Sequence, residues 1–182
     1  MNVEPIRLFL DIDGVLSVSD PDTPRQRLGR FGPLADPVAG AKQPLKAIDQ
    51  AHWIEPFWVS TWGPAAIAWN AWAQTRRWAI AYPLSDTQQA QAQAQFPTLP
   101  SQSKCLAVRW HCQDWPHRMV WIEDGFWREA EQWAMQQEKI QLIDTVPPSQ
   151  GARQGWRRGL RAWNLETICT ALALDITIDA AS

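Results

Sequence analysis

The chain has 182 residues, 46% of them hydrophobic and 20% charged, with a formal net charge of −2. This length and composition are typical of a single globular domain, and they exclude an intrinsically disordered chain. The slightly acidic balance excludes a chain-wide electrostatic attraction to nucleic acid or to an anionic membrane, and leaves only a local basic patch open.

The first predicted element is a strand at residues 7–10, where Leu8, Phe9 and Leu10 form an apolar run without polar alternation. Such a run is typical of a strand that is buried on both faces of a parallel sheet. Residues 17–51 are rich in Pro, Asp, Arg and Gly, and they predict a long, mostly irregular insertion with one helix near residues 45–48. We expect this insertion to form a small flap or lid.

The remaining predicted elements alternate strands with helices. In chain order they are a strand at 56–59, a helix at 63–77, a strand at 79–82, a short helix at 104–111, a strand at 119–122, a helix at 127–138, a strand at 140–143 and a last helix ending near 174. Pro64 fits the first turn of its helix, and Asn164 is expected to cap the last one. The Gln- and Ala-rich tract at 85–103 predicts either a polar helix or a surface loop.

This order of elements is typical of the α/β class. We expect a three-layer α/β/α, Rossmann-like domain with a five-stranded, mainly parallel sheet and a small insertion after the first strand. One domain would span residues 1–182, with a C-terminal loop and helix at 144–182. The sequence shows no membrane span, no signal peptide and no CxxC motif, so we predict a cytoplasmic protein with reduced thiols.

Acidic and hydroxyl side chains come directly after three of the predicted strands. They are Asp11 and Asp13 after the first strand, Ser60 and Thr61 after the second, and Glu123 and Asp124 after the fourth. The carboxyl ends of parallel strands lie at one edge of a sheet, and ligands bind in the crevice outside that edge. We therefore expect the three groups to converge on one site.

The two aspartates in the first group indicate a reaction by themselves. Carboxylates two residues apart repel each other and favour a cation between them, and oxygen-only ligands suit Mg²⁺. The cation would neutralise Asp11 and a phosphate together, so that Asp11 can act as a nucleophile and form an aspartyl-phosphate. Asp13 would protonate the leaving oxygen and later activate water. The pattern thus predicts a Mg²⁺-dependent phosphoester hydrolase, that is, a phosphatase.

Residues 8–16, with the sequence LFLDIDGVL, resemble the first signature of the haloacid dehalogenase-like (HAD) superfamily. The other signatures follow in order: Ser60 after a hydrophobic strand, Lys104 at a helix start, and an acidic pair at 123–124. A closer likeness is to the small HAD domains of RNA-repair proteins, which show a similar Trp-rich second signature (residues 58–62 here) and a Gly-Leu pair before the last helix.

The resemblance implies a role for each matching residue. Asp11 would be the nucleophile and a metal ligand, and Asp13 would bind the metal through its backbone carbonyl. Ser60 would hydrogen-bond the phosphoryl oxygens, and Lys104 would oppose the negative charge of the transition state. Thr61 and Gly14 are expected to contact substrate. Asp124 and Glu123 would complete the metal site, with Asp124 favoured, because Glu123 departs from the Asp-Asp or Gly-Asp pair that is common there.

The resemblance to the HAD superfamily also narrows the class of substrate. HAD branches that cleave carbon–halogen or carbon–phosphorus bonds generally lack an acid at the position of Asp13, which therefore favours phosphoester chemistry. Little room is left for a cap domain, and the uncapped HAD group often acts on macromolecules. Arg157 and Arg158, close to Trp156, could contact a nucleic-acid backbone or belong to a solvated loop. Nucleic-acid and nucleotide phosphates are thus candidate substrates.

Two other functions stay open from the sequence. The chain could be a non-catalytic HAD-fold binding module in a repair or regulatory complex, which the 13 tryptophans and Glu123 would favour. It could also be a phosphotransferase that passes the phosphoryl group to an acceptor other than water. The sequence does not distinguish transfer from hydrolysis, and it makes no prediction of the oligomeric state.

Overall fold

Five apolar segments form the strands of one parallel sheet. In a computed structural model, which describes residues 3–18, 25–28, 32–38, 40–145 and 162–174 (side chains from 165 in the last range), they are β1 (Ile6–Leu10), β4 (Ile54–Val59), β5 (Ala79–Tyr82), β6 (Arg118–Glu123) and β7 (Ile140–Asp144). The strand order is β5-β4-β1-β6-β7, and every neighbouring pair is parallel. The predicted α/β class with a five-stranded sheet is confirmed.

Helices cover both faces of this sheet. On one face lie α1 (Lys42–Gln50), α2 (Ile67–Ala73) and α6 (Ala162–Leu172), and on the other α3 (Asp86–Gln95), α4 (Lys104–Cys112) and α5 (Arg128–Ala134). Because side chains alternate along a strand, Leu8 and Leu10 of β1 pack on the first face and Phe9 packs on the second. Burial on both faces explains the continuous apolar run.

Several helix boundaries differ from the predictions. A 3₁₀ turn, Gly63–Ala66, precedes α2, and this helix ends at Ala73 because Gln74 adopts the left-handed conformation, with a φ of 61°. The Gln- and Ala-rich tract contains a helix, α3. Asn164 lies inside α6 instead of before its first residue. Of the helices in the described ranges, none combines the length and the apolar character that a membrane crossing requires.

The described parts of the 17–51 insertion pack onto the domain. Two short strands, β2 (Gln26–Arg27) and β3 (Leu34–Ala35), form an antiparallel pair, and α1 follows them as predicted. Leu28 and Leu45 are buried in the same core as β1. This segment therefore contributes to the hydrophobic core on one face of the sheet.

Candidate active site

The carboxyl edge of the sheet brings three strand ends together. Asp11 comes directly after the central strand β1, and its backbone N–H donates to the carbonyl oxygen of Ile122 in β6 at 3.1 Å. Glu123 is the last residue of β6, and Asp124 follows it. Because β1 and β6 pair in register, Asp11 lies beside these two acids.

Lys104 joins two of these acids. Its Nζ lies 2.9 Å from Oδ2 of Asp11 and donates to Oε1 of Glu123 at 2.6 Å. The lysine is the first residue of α4, and Ser103 caps this helix by accepting the backbone N–H of Leu106 at 3.1 Å. Burial lowers the pKa of Lys104, but the two carboxylates outweigh that effect and raise the pKa above its usual value. The amine therefore stays protonated between Asp11 and Glu123.

In the described part of the chain, the three acids form a cluster with more carboxylates than cations in contact with them. One oxygen from each of Asp11, Glu123 and Asp124 lies within 4.8 Å of the others. Burial and the Asp11 carboxylate raise the pKa of Glu123 well above its usual range, and they raise the pKa of Asp124 to about 6. Among the described residues, Lys104 is the cation that these carboxylates share. The Asp11 carboxylate thus makes Glu123 and Asp124 harder to ionise.

The cluster fits a divalent cation. Oδ1 of Asp11 and Oε2 of Glu123 are buried, and the described residues offer neither of them a hydrogen-bond partner. A buried carboxylate oxygen without a partner is costly unless a proton or a cation compensates it. Mg²⁺ binds to oxygen ligands, usually one or two carboxylates together with water and phosphate oxygens, and this cluster can supply such carboxylates. Of the four metal-site residues expected from the sequence, Asp11, Glu123 and Asp124 lie in this cluster, and Asp13 lies outside it.

Gly14 allows Asp124 to approach the loop that follows β1. The glycine has a φ of +72°, a conformation that side chains disfavour, and a Cβ atom there would lie 2.1 Å from Oδ2 of Asp124. Its carbonyl oxygen accepts a hydrogen bond from the hydroxyl of Thr145 at 3.3 Å. Gly14, which is buried, thus serves the packing of the acidic cluster, whereas its expected contact with substrate stays a prediction.

Asp13 is exposed, and two residues that follow the neighbouring strand β4 donate hydrogen bonds to its carboxylate. The indole Nε1 of Trp62 donates to Oδ1 of Asp13 at 2.8 Å, and Oγ1 of Thr61 donates to Oδ2 at 3.3 Å. Trp62 in turn packs edge-to-face on Trp69, which is fully buried, with 5.8 Å between the ring centroids. The Asp13 side chain is therefore fixed through an aromatic contact that reaches the core.

The two hydroxyl residues after β4 occupy different environments. Ser60 is fully buried, and its Oγ accepts the backbone N–H of Trp62 at 3.5 Å, as expected of a hydroxyl at the start of a turn. Thr61 is exposed and faces Asp13. The hydroxyl that is accessible from solvent at this edge is therefore that of Thr61.

The sequence reasoning missed two residues that organise the site. Trp62 donates to Asp13, and nothing in its sequence context indicates that bond. Thr145 comes directly after β7, and its backbone N–H donates to the carbonyl oxygen of Glu123 at 2.9 Å. Its position after the fifth strand of the sheet, at the same edge as the acids, was a visible signal for Thr145. Arg157 and Arg158 lie outside the described residues.

Comparisons with known proteins gave no relative. No protein-family model matches the chain, and searches of curated proteins and of solved structures found no match.

Proposed function

We propose that the protein is a Mg²⁺-dependent phosphoester hydrolase that works through a phosphorylated aspartate, Asp11. One observation carries the proposal. Asp11 is buried, Lys104 holds its Oδ2, and its Oδ1 has no partner in the described structure while two further carboxylates lie beside it. Most buried carboxylate oxygens in folded proteins have a hydrogen-bond partner. An oxygen left unpaired next to excess negative charge favours a site that is completed by a cation and a substrate.

Asp11, Asp124 and Glu123 would hold the metal with their carboxylates, and Asp13 would add its backbone carbonyl. Mg²⁺ bound there would lower the repulsion between the Asp11 carboxylate and a phosphate dianion. The chain itself supplies the orientation, because Lys104 fixes the Asp11 carboxylate through Oδ2 and leaves Oδ1 directed away from that contact. Holding the nucleophile in one geometry removes part of the entropic barrier to attack.

The first step forms one bond and breaks another. A carboxylate oxygen of Asp11 attacks phosphorus, and the bond between phosphorus and the leaving oxygen breaks with its electron pair going to that oxygen. Asp13 donates a proton to the leaving oxygen. The bonds from Trp62 and Thr61 keep the Asp13 carboxyl at the open side of the site, where a leaving group would depart.

The second step regenerates the carboxylate. Asp13, now ionised, accepts a proton from a water molecule whose oxygen attacks phosphorus, and the bond between phosphorus and Asp11 breaks. Lys104 stabilises the negative charge that develops in both steps. The hydroxyl of Thr61 is used in the bond to Asp13, and the hydroxyl of Ser60 accepts the backbone N–H of Trp62 and so supports the turn after β4.

The test is a phosphate-release assay with Mg²⁺ across p-nitrophenyl phosphate, nucleotides, sugar phosphates, phosphopeptides and 3′- or 5′-phosphorylated oligonucleotides. Asp11→Asn should lower turnover by at least ~10⁴-fold, equivalent to about 5.4 kcal/mol of transition-state stabilisation. Asp114→Asn is the matched control, because Asp114 is exposed and lies outside the site. Near-wild-type activity of Asp11→Asn, or no hydrolysis of any ester by the wild type, would contradict the proposal.

A further inference from the structure

A pocket opens directly beside the acidic cluster. Its volume is about 490 Å³, within the range usual for small-molecule sites. Lys104 and Glu123, which contact each other, form part of its wall, as does Thr61, which donates to Asp13. The pocket therefore touches the residues proposed to hold the nucleophile and the general acid, and it has no role in the chemistry described so far.

Aromatic side chains dominate the rest of this wall. Tyr82 is the last residue of the edge strand β5, Phe126 and Trp127 follow β6, and Trp121 belongs to β6. Phe126 packs edge-to-face on Trp121, with 5.1 Å between the ring centroids. Trp127 leaves 77% of its surface exposed, which is unusual for so large an apolar side chain. An exposed indole at the mouth of a pocket offers a free face on which another ring can stack.

The charges of the pocket restrict what can enter. Of the described residues that line it, Lys104 alone is cationic, and it is already paired with Asp11 and Glu123. Glu129 places a further carboxyl group in the wall. A second phosphate or another anionic group would meet repulsion here. The pocket suits a neutral, planar group.

We propose that this pocket binds the leaving group of the substrate, and that this group carries a neutral aromatic ring which stacks on Trp127. The inference rests on the proposed function, because the phosphate of the same ester would lie at Asp11. The general acid Asp13 must reach the leaving oxygen, and its partner Thr61 lines the pocket. The rest of the leaving group then extends from that oxygen between Trp127 and Tyr82.

Binding of two phosphonates, in which a carbon–phosphorus bond replaces the ester, tests the pocket without turnover. Benzylphosphonate and cyclohexylmethylphosphonate have the same number of carbon atoms, and only the first is planar. With Mg²⁺ present, calorimetry should give the wild type a Kd for benzylphosphonate roughly fivefold lower than for cyclohexylmethylphosphonate. Trp127→Ala should remove the preference, and Trp127→Phe should retain most of it.

Met135→Ala is the control, because Met135 is 86% exposed, follows the opposite end of α5 and does not line the pocket. This variant should keep the wild-type preference. Equal binding of the two phosphonates by the wild type, or an unchanged preference in Trp127→Ala, would overturn the pocket assignment. A Trp127-dependent preference without hydrolysis of any ester would support the pocket and contradict the phosphatase.

Hydrolysis then identifies the source of the ring. The kcat/KM for adenosine 5′-monophosphate is compared with that for ribose 5-phosphate, and phosphotyrosine is compared with phosphoserine, in wild type and in Trp127→Ala. If the wild type prefers adenosine 5′-monophosphate over ribose 5-phosphate and Trp127→Ala does not, the ring is a nucleobase. If the wild type prefers phosphotyrosine over phosphoserine and Trp127→Ala does not, the ring is a phenol. If neither pair shows such a preference, the leaving group is not aromatic and the inference is wrong.

Discussion

At the scale of single residues, the side chain of Asp13 depends on a tryptophan in the turn that follows the neighbouring strand β4. The indole of Trp62 donates to Oδ1 of Asp13 and packs on the buried Trp69. The pattern Asp-x-Asp-Gly predicted the acid itself, because its spacing and position after a strand are visible in the sequence. The bond from Trp62 could not be predicted, since it depends on how β4 lies beside β1 and on one side-chain rotamer.

The Trp62→Phe variant tests this positioning role, because it removes the indole N–H and keeps a ring against Trp69. An alkyl phosphate has a poor leaving group that needs the proton from Asp13, so its kcat/KM should fall roughly tenfold. p-Nitrophenyl phosphate releases an anion that is stable without that proton, so its kcat/KM should change less than about twofold. Equal losses for the two substrates would show that Trp62 acts on the fold instead of on Asp13.

At the scale of elements, the five sheet strands were predictable because each is a short apolar run next to turn-forming residues. For the segment that forms α3, the sequence predicts either a helix or a loop. This helix buries only Ala92 and so has almost no apolar periodicity. Its local signal was the capping box of Ser85 and Gln88. The C-terminal end of α2 was missed because a left-handed Gln74 has no sequence signature as clear as that of glycine.

The helix α4 presents Lys104 to the site, so its N-terminal cap should affect both stability and activity. Ser103→Ala removes the bond to the Leu106 N–H, and Ser85→Ala removes the equivalent bond to Gln88 at the start of α3. Both variants should lower the free energy of unfolding by about 1 kcal/mol. Denaturant unfolding measures this loss.

Only Ser103→Ala should also slow turnover, roughly fivefold, because the first turn of α4 then holds Lys104 less firmly against Asp11. Ser85 is the matched control, since it caps a helix that carries none of the proposed catalytic residues. A similar effect of both variants on turnover would mean that the cap of α4 does not position Lys104.

At the scale of the whole molecule, the acidic cluster costs stability in the absence of a cation. The pKa of Glu123 is raised above its usual value in the folded state, mainly by burial and by Asp11. A folded state that binds a proton more tightly than the unfolded state loses stability as the pH rises above the ordinary pKa of glutamate. Glu123 therefore contributes less to the stability of the metal-free protein at neutral pH than it does near pH 4.

Glu123→Gln should raise the free energy of unfolding of the metal-free protein at pH 7 by about 0.5–2 kcal/mol, while it weakens activity. The gain should shrink toward pH 4, where Glu123 is protonated in the folded wild-type protein and increasingly in the unfolded chain. Denaturant titrations with a chelator present, at several pH values, measure this difference. A variant that is less stable than the wild type at pH 7 would show that the Lys104 bond outweighs the repulsion.

The way in which the polar strand ends meet in one site is also a property of the whole molecule. Polar residues at three strand ends were visible in the sequence, and the common edge of a parallel sheet explains why Asp11, Glu123 and Asp124 meet. The sequence could not show how closely they approach. That distance depends on Gly14, where a Cβ atom would collide with Asp124, and on Thr145, which ties the β7 end to Glu123.

Capture of a phosphoryl group on Asp11 tests the proposed mechanism most directly. The wild-type protein is mixed with Mg²⁺ and p-nitrophenyl phosphate, quenched in acid during turnover and analysed by peptide mass spectrometry. If Asp11 is the nucleophile, the peptide that contains Asp11 carries a phosphoryl group. Hydroxylamine removes this group, and the Asp11→Asn variant does not acquire it. Phosphate release by the wild type with no such adduct, or an adduct on a residue other than Asp11, would contradict the proposed mechanism.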